Sequence, residues 1–434
     1  MEITNEKSIL TKQIFWWVSA SLLFIIVFAT TPRLYYASVV FINFLQGHGI
    51  VLALNPVDDK TRFLREFIAP IKGLIFLFTL TGLLFPLITD ISDSWKKMNV
   101  SSVKFRNTLV LFLILCALVL IKGLSGGNVE YADQSSVVFE KGNIIWSFQR
   151  FLMPAMAYIL FFRGQIFFLI FSFLCVIGMI HLTQLWFAKE EISLKNWQLL
   201  SILTSGFLVS NLQYPGSPDV FIYSFVLLLF IFPLGELAEL SLLTFALASH
   251  EASIILFSAI AIFFKDGKIR VKYFLVIFIY LFIWLVSIQF NLNSVFHSSQ
   301  IRGFSPLLSI IADPKMELLG IFYTYRLLWI LIIASLVLLT IKRDYRTILQ
   351  ITAVIGSGFL MSLIGVDTLR MFSWSFFALL MSIKTLYEQN NPRLQKFLYV
   401  ILALNLLIAP VYVDLHWIRP PASLYQFFYS VIGL

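Results

Sequence analysis

Charge is what this sequence has least of. Only 13% of its 434 residues are Asp, Glu, Lys or Arg, too few to clothe a water-facing surface of this size. Long polar interruptions are few, the main one running from Gly126 to Pro154, and no stretch reads as a separate soluble domain. There is no Gly-rich phosphate loop and no nucleophile elbow, which removes the soluble nucleotide-sugar enzymes and the serine hydrolases. The two cysteines, Cys116 and Cys175, lie inside apolar runs and define no disulfide framework. The five histidines, His48, His181, His250, His297 and His416, share no metal-ligand spacing. No cofactor is expected, and no divalent metal is indicated.

What remains is hydrocarbon. Hydrophobic residues make up 59% of the chain and its mean hydropathy is +0.88, the composition of a bundle that faces lipid. The runs are long and solid rather than alternating ten-residue strands, which excludes a β-barrel. The expected fold is therefore an all-α polytopic membrane protein with about eleven or twelve hydrophobic segments. The first runs near 14–30; 34–51 is amphipathic, interrupted by Gln46, Gly47, His48 and Gly49, and is left out of that number; the next run near 68–88 and 109–124. Others follow near 166–187, 199–212, 220–234, 240–264, 273–290, 318–341, 348–364, 371–386 and 397–413. Residues 1–12 lead into an apolar run without a small-residue cleavage site, so an uncleaved first span with a cytoplasmic N-terminus is expected. The net charge of +9 is dispersed through short loops. That pattern points to membrane lipids and not to nucleic acid as the partner of the basic residues.

The basic residues set an orientation. With 95–106 in the cytoplasm, and with 151–164 and 240–264 not each counted as one crossing, the inside loops from Trp95 onward hold fifteen Lys and Arg and the outside loops six. Lys122, Arg163, Arg326 and Lys384 lie within apolar runs or elements and are outside both counts. The excess follows the positive-inside rule, although Arg33, Lys60, Arg62 and Arg65 then fall outside. In this arrangement the rare polar features gather on the external side. They include Glu130 and Asp133, the run Gln213-Tyr-Pro-Gly-Ser-Pro-Asp219, Asp367 with Arg370, and the interval 291–317. A helical hairpin dipping from the cytoplasm would carry His250 and Glu251 to the same side.

Several of these residue types suit chemistry at a membrane surface. Glu130 and Asp133 are three apart, one face of a helical turn, and either carboxylate can act as a general base toward a hydroxyl. Both can equally be solvated acids. Arg150 opens the run Phe151-Leu-Met-Pro154; a guanidinium there fits a phosphate or simply anchors a span end. Asp219 follows Pro218, where an acid can cap a first helical turn or meet a substrate. Glu251, amid apolar neighbours, costs several kcal/mol to bury charged and alone, so it pairs with His250, caps a break, or serves a site. Asp367 and Arg370 share a turn and suit an ion pair.

In order along the chain, these motifs resemble the GT-C superfamily of integral-membrane glycosyltransferases. Trp146-Ser-Phe-Gln-Arg-Phe-Leu-Met-Pro154 is similar to an element in bacterial members that reads Tyr-Arg-Tyr-Gln-Arg-Ile-Leu-Tyr-Pro, with Gln149, Arg150, Leu152 and Pro154 in matching places. Gly127-Asn-Val-Glu-Tyr-Ala-Asp133 occupies the place of the first catalytic loop but departs from its wording. Tyr214-Pro-Gly-Ser-Pro-Asp219, Ala246-Leu-Ala-Ser-His-Glu251 and the Asp367…Arg370 pair resemble later family motifs. The likeness covers about 109–386 and implies a GT-C-like domain over 108–434 with an N-terminal membrane extension over 1–107.

The resemblance implies transfer of a sugar from a polyprenyl-phosphate donor to a glycan, lipid or protein acceptor outside a bacterial cell membrane. Glu130 or Asp133, with Asp133 favoured, would be the base. Gln149, Arg150, Asp219, His250, Glu251, Asp367 and Arg370 would bind substrate. Two rivals stand beside it. A polysaccharide polymerase would carry several arginines in a late external loop, where 291–317 has only Arg302. A lipid-linked-saccharide transporter would show inverted repeats and paired broken helices.

Overall fold

The computed structural model describes residues 69–97, 103–118, 127–139, 150–213, 215–287, 314–364, 368–413 and 418–419. The expected segments near 14–30 and 34–51 lie outside them. The described chain is helical: α1 (Ala69–Lys97), α2 (Phe105–Leu118), α3 (Gly127–Val137), α4 (Leu152–Ile159), α5 (Gln165–Lys189), α6 (Asn196–Leu203), α7 (Gly206–Gln213) and α8 (Asp219–Ile231) come first. Next are α9 (Glu236–Ser249), α10 (Ser253–Phe264), α11 (Gly267–Ser287), α12 (Pro314–Tyr325), α13 (Trp329–Lys342), α14 (Tyr345–Ile364), α15 (Thr368–Phe372), α16 (Phe376–Tyr387) and α17 (Pro392–Leu407). A two-residue antiparallel pair, β1 (Tyr412–Val413) with β2 (Ile418–Arg419), closes the described part.

Four stretches are long and apolar enough to cross a membrane: Lys72–Lys96, Gln165–Lys189, Pro314–Lys342 and Tyr345–Leu363. That is the mark of an integral membrane protein. The outer faces carry the same signal. On α11 the large side chains Val271, Leu275, Phe278 and Phe282 recur at helical spacing and are all exposed, a stripe suited to lipid rather than water. The core is one continuous cluster. Phe76, Leu80, Leu83 and Leu87 of α1 belong to it together with side chains from every later part of the chain, so part of the stretch expected as an extension shares the core of the rest.

Several expected single segments are broken in two. The run 199–212 divides at Thr204 and Ser205, and 318–341 divides at a 3-10 turn, Arg326–Leu328. These two breaks meet. Arg326, at a left-handed φ of 51°, is buried and donates to the Thr204 carbonyl at 2.7 Å, the Thr204 hydroxyl at 2.8 Å and the Ile408 carbonyl. Asn405 of α17 joins them by donating to the Ser201 carbonyl at 3.2 Å and accepting from the Leu327 N–H at 3.2 Å. A left-handed arginine is strained, and the three carbonyl and hydroxyl acceptors explain why it holds.

The stretch 240–264, expected as a hairpin and not as one crossing, carries the most informative break. α9 and α10 are separated by His250, Glu251 and Ala252, none of which is a Gly or Pro, and His250 is extended with φ −162° and ψ 130°. The two helices turn back on each other: Lys265, just past α10, reaches Glu239 in the first turn of α9 at 2.6 Å. This is a helical hairpin with its open ends on one side and the His250–Glu251 turn at its tip.

The open ends define one end of the bundle. Asp90 accepts from the Gly235 N–H at 2.7 Å, Lys384 pairs with Glu190 at 2.5 Å, and Ser193 donates its N–H to the Tyr387 hydroxyl at 3.4 Å. At the opposite end the starts of α5 and α8 meet through Gly216, whose φ is +99° and where a Cβ would stand 2.8 Å from Phe168. Only glycine satisfies both conditions. The hairpin tip belongs to this second end.

Candidate functional site

At the hairpin tip, Glu251 grips Arg150 in a two-point fork: Nη2 donates to Oε1 at 2.6 Å and Nε to Oε2 at 3.1 Å. The third nitrogen, Nη1, donates to the Tyr131 hydroxyl of α3 at 3.2 Å. Three separate pieces of chain are thus tied at one guanidinium, the geometry in which arginine is strongest. His250 completes the group. Its Nδ1 accepts from the Ala252 N–H at 3.2 Å and lies 3.3 Å from Glu251 Oε2. Because a backbone N–H can only donate, the ring proton belongs on Nε2, and the ring meets Trp374 edge-on at 4.9 Å.

The electrostatics follow from burial. In the turn outside both helices, burial is the largest influence on the Glu251 carboxyl and would raise it, but the Arg150 charge and the hydrogen bonds to the carboxylate together hold the group down at about 2. Burial, and then the same Arg150 charge, push the His250 imidazole well below its ordinary range, so it is neutral at neutral pH. The His250–Glu251 contact is therefore a polar contact and not an ion pair. The sequence offered His250 as the partner of Glu251, whereas its charged partner is Arg150, brought up from 101 residues away.

A second pair lies alongside. Arg370 of α15 reaches Asp219 with Nε to Oδ2 at 2.9 Å, and the Ser217 hydroxyl donates to the same oxygen at 2.7 Å. Asp219 is fully buried in the first turn of α8, and its carboxylate meets Arg370 and Ser217. The two pairs form one electrostatic neighbourhood, because the Arg370 charge acts on both Tyr131 and His250. Burial is the larger influence on Tyr131 and raises its phenol.

Other expected site residues fall differently. Asp133 is exposed on α3. It lies two residues past Tyr131, roughly 200° around the helix, so it stands away from the Arg150 contact. Position 130 is also on α3, one turn before the buried Gln134; the Glu130 side chain, like Gln149 and Asp367, lies outside the described residues. The expected acid loop is a helix, held by α4 and α5 and by Ser135, which accepts from the Gly164 N–H at 3.1 Å. No group of three His, Cys, Asp or Glu is gathered for a metal ion among the described residues.

Three residues escaped sequence reasoning. Glu317 is buried near Arg370's helix and accepts from Ser362 at 2.8 Å and Thr368 at 2.7 Å. Tyr280 of α11 lies close enough to Glu251 and Arg150 to feel both charges. Lys72 of α1 is buried at the same end. A charged residue inside an apolar run was the available signal for Lys72 and Arg326. The chain matches no family model, no curated protein and no solved structure. Any functional reading of the site therefore stands on its geometry and chemistry.

Proposed function

We propose that this protein is an integral-membrane glycosyltransferase that moves a sugar from a polyprenyl-phosphate donor to an acceptor on the extracytoplasmic side. One observation carries the reading: the buried Arg150–Glu251 and Arg370–Asp219 pairs, with His250 and Tyr131, gather at a single end of a lipid-facing bundle. Charges buried in a membrane protein are costly and mark substrate sites. The opposite end holds Lys96, Lys189, Lys265 and Lys384, which by the positive-inside rule turns the cluster away from the cytoplasm. The motif order that resembles the GT-C superfamily supports the same reading. So does the presence of two carboxylate positions, 130 and 133, on a helix that itself contacts Arg150 through Tyr131.

In this mechanism the ion pairs frame the substrate site. Arg150 fixes the hairpin tip against α3, and Arg370 fixes α15 against α8. A carboxylate of α3 deprotonates the acceptor hydroxyl, which attacks the sugar carbon as the carbon–oxygen bond to the donor phosphate breaks. The phosphate leaves with the electron pair, and the sugar carbon is inverted. No bound cofactor enters the balance.

The test is transfer by purified protein, read as release of polyprenyl phosphate from a panel of short-chain polyprenyl-phosphate sugars. Replacing the base by its amide lowers turnover by roughly two to four orders of magnitude with folding intact. Asp133→Asn and Glu130→Gln are compared at matched expression. If both keep the wild-type rate, α3 holds no base and the reading fails. The broken helices at 250–252 and 326–328 also suit a transporter; movement of an uncleaved lipid-linked saccharide across proteoliposomes would favour it instead.

A further inference from the structure

Folding pairs nearly every buried cation in the described residues with an acceptor. Arg150 has Glu251 and Tyr131, Arg370 has Asp219, and Arg326 has three backbone and hydroxyl oxygens. Lys72 is different. It stands in the first turn of α1 with 3% of its surface exposed, and its ammonium has no hydrogen-bond or ion-pair partner among the described residues.

Its surroundings are apolar and lead to the site. Gly73, next in the chain, faces Phe139 and Ile159. Phe76, one turn on, packs on Phe139 at 5.6 Å and on Phe151 at 5.9 Å between ring centroids. Phe151 directly follows Arg150. Lys72 therefore lies at the site end, on the wall that carries the Arg150 fork. A buried ammonium without a counter-charge is strongly disfavoured, and packing alone would be served as well by a Met or Leu of similar length. A bound anion would supply the counter-charge that the described residues do not.

Arg150 is poorly placed to take that anion. Its Nε and Nη2 are engaged by Glu251 and its Nη1 by Tyr131. Lysine's compact ammonium is suited to phosphate, and the rings of Phe76, Phe139 and Phe151 are suited to the hydrocarbon beside it. We infer that Lys72 holds the phosphate of a lipid-linked ligand at the end of the bundle that carries the Arg150 cluster. Identifying that ligand with the glycosyl donor rests on the proposed function; the phosphate site itself does not.

The experiment is binding to detergent-solubilised full-length protein by calorimetry, with farnesyl phosphate, farnesol and inorganic phosphate as probes. Wild type binds farnesyl phosphate well above farnesol. Lys72→Met weakens farnesyl phosphate by roughly 30-fold or more, as expected when one partner of a desolvated charge pair is truncated, and leaves farnesol unchanged. Methionine keeps the stem and removes the buried charge, so the fold is retained; Lys72→Gln serves as a second variant. Equal farnesyl phosphate affinity in wild type and both variants overturns the assignment. Inorganic phosphate bound as tightly as farnesyl phosphate, with the same dependence on Lys72, overturns the lipid as its source. Lys72-dependent binding by a protein that transfers no sugar would sink the glycosyltransferase reading and leave the phosphate site standing.

Discussion

The two ends of the bundle handle charge differently. At the lysine-rich end exposure varies from pair to pair: the Lys96–Asp93 side chains are 72% and 62% exposed and Lys272–Glu236 44% and 47%, while Lys265–Glu239, which closes the hairpin, is 14% and 14%. At the other end, Arg150 and Glu251 are 8% and 20% exposed, Arg370 and Asp219 18% and 0%. Lys96 and Asp93 lie within one helical turn, whereas Arg150 and Glu251 join pieces of chain 101 residues apart. Exposed pairs contribute little because water screens them and long side chains must be ordered. Buried pairs carry a large desolvation cost and persist only when the geometry repays it. The most exposed pairs of the lysine-rich end therefore add little to stability, and the Arg150–Glu251 fork fixes a shape.

Breaking the buried fork tests that contrast most severely. Glu251→Ala leaves Arg150 buried and uncompensated and should cost about 3–5 kcal/mol, read as a drop in the unfolding midpoint in detergent. The double variant Arg150→Met with Glu251→Leu removes both charges and should recover most of the loss. A double variant as unstable as Glu251→Ala would mean that the fork's shape, and not its charge balance, holds the hairpin tip. Asp219→Asn should come next, at about 2 kcal/mol, because it weakens the charge-assisted bonds from Arg370 and Ser217 while keeping a polar group in place. A cost near zero would show that Arg370 finds another acceptor.

Acid sharpens the comparison. The Glu251 carboxyl is held at about 2 against an ordinary 4.5. A carboxyl depressed on folding contributes stability that is fully present above its unfolded value and is lost as pH falls through the folded one. The stability gap between wild type and Glu251→Gln should be level from neutral pH to about pH 5 and should shrink steadily below that. A gap that shrinks above pH 6 would implicate another group. The smallest effect belongs to the open end, where Lys96→Ala should change stability by less than about 0.5 kcal/mol. A cost above 1 kcal/mol would remove the distinction between the ends.

How far the sequence reaches is clearest at Glu251. A glutamate in a solid apolar run announces itself because burying it is expensive, and Arg150 and Arg370 announce themselves likewise. The partnerships do not. Local reasoning offers His250 to Glu251 and Asp367 to Arg370, since those lie within a turn, whereas the described contacts are to Arg150 and to Asp219, brought up by tertiary folding. The hairpin over 240–264 was legible from the polar pair His250 and Glu251 in a solid apolar stretch, although His-Glu-Ala contains no helix-breaking residue. Its tip is held by the Arg150 fork, which only tertiary folding supplies, and by the local Ala252 N–H to His250 bond. The run at 126–139 shows the converse: its glycines and polar residues read as a loop, yet packing against α4 and α5 makes a helix of it. Hydropathy and the positions of rare charges were legible; long-range pairing was not.

The α9–α10 hairpin also settles a matter of parity. The chain enters it and leaves it at the same end, as the Lys265–Glu239 contact requires. It therefore adds an even number to any tally of sides. Reporters fused before Glu236 and after Lys265 must read alike, and every element from α11 onward keeps the sidedness it would have had if those residues were deleted. A count that scored this long apolar stretch as one crossing would invert the entire C-terminal half, and with it the side on which Arg370 meets Asp219.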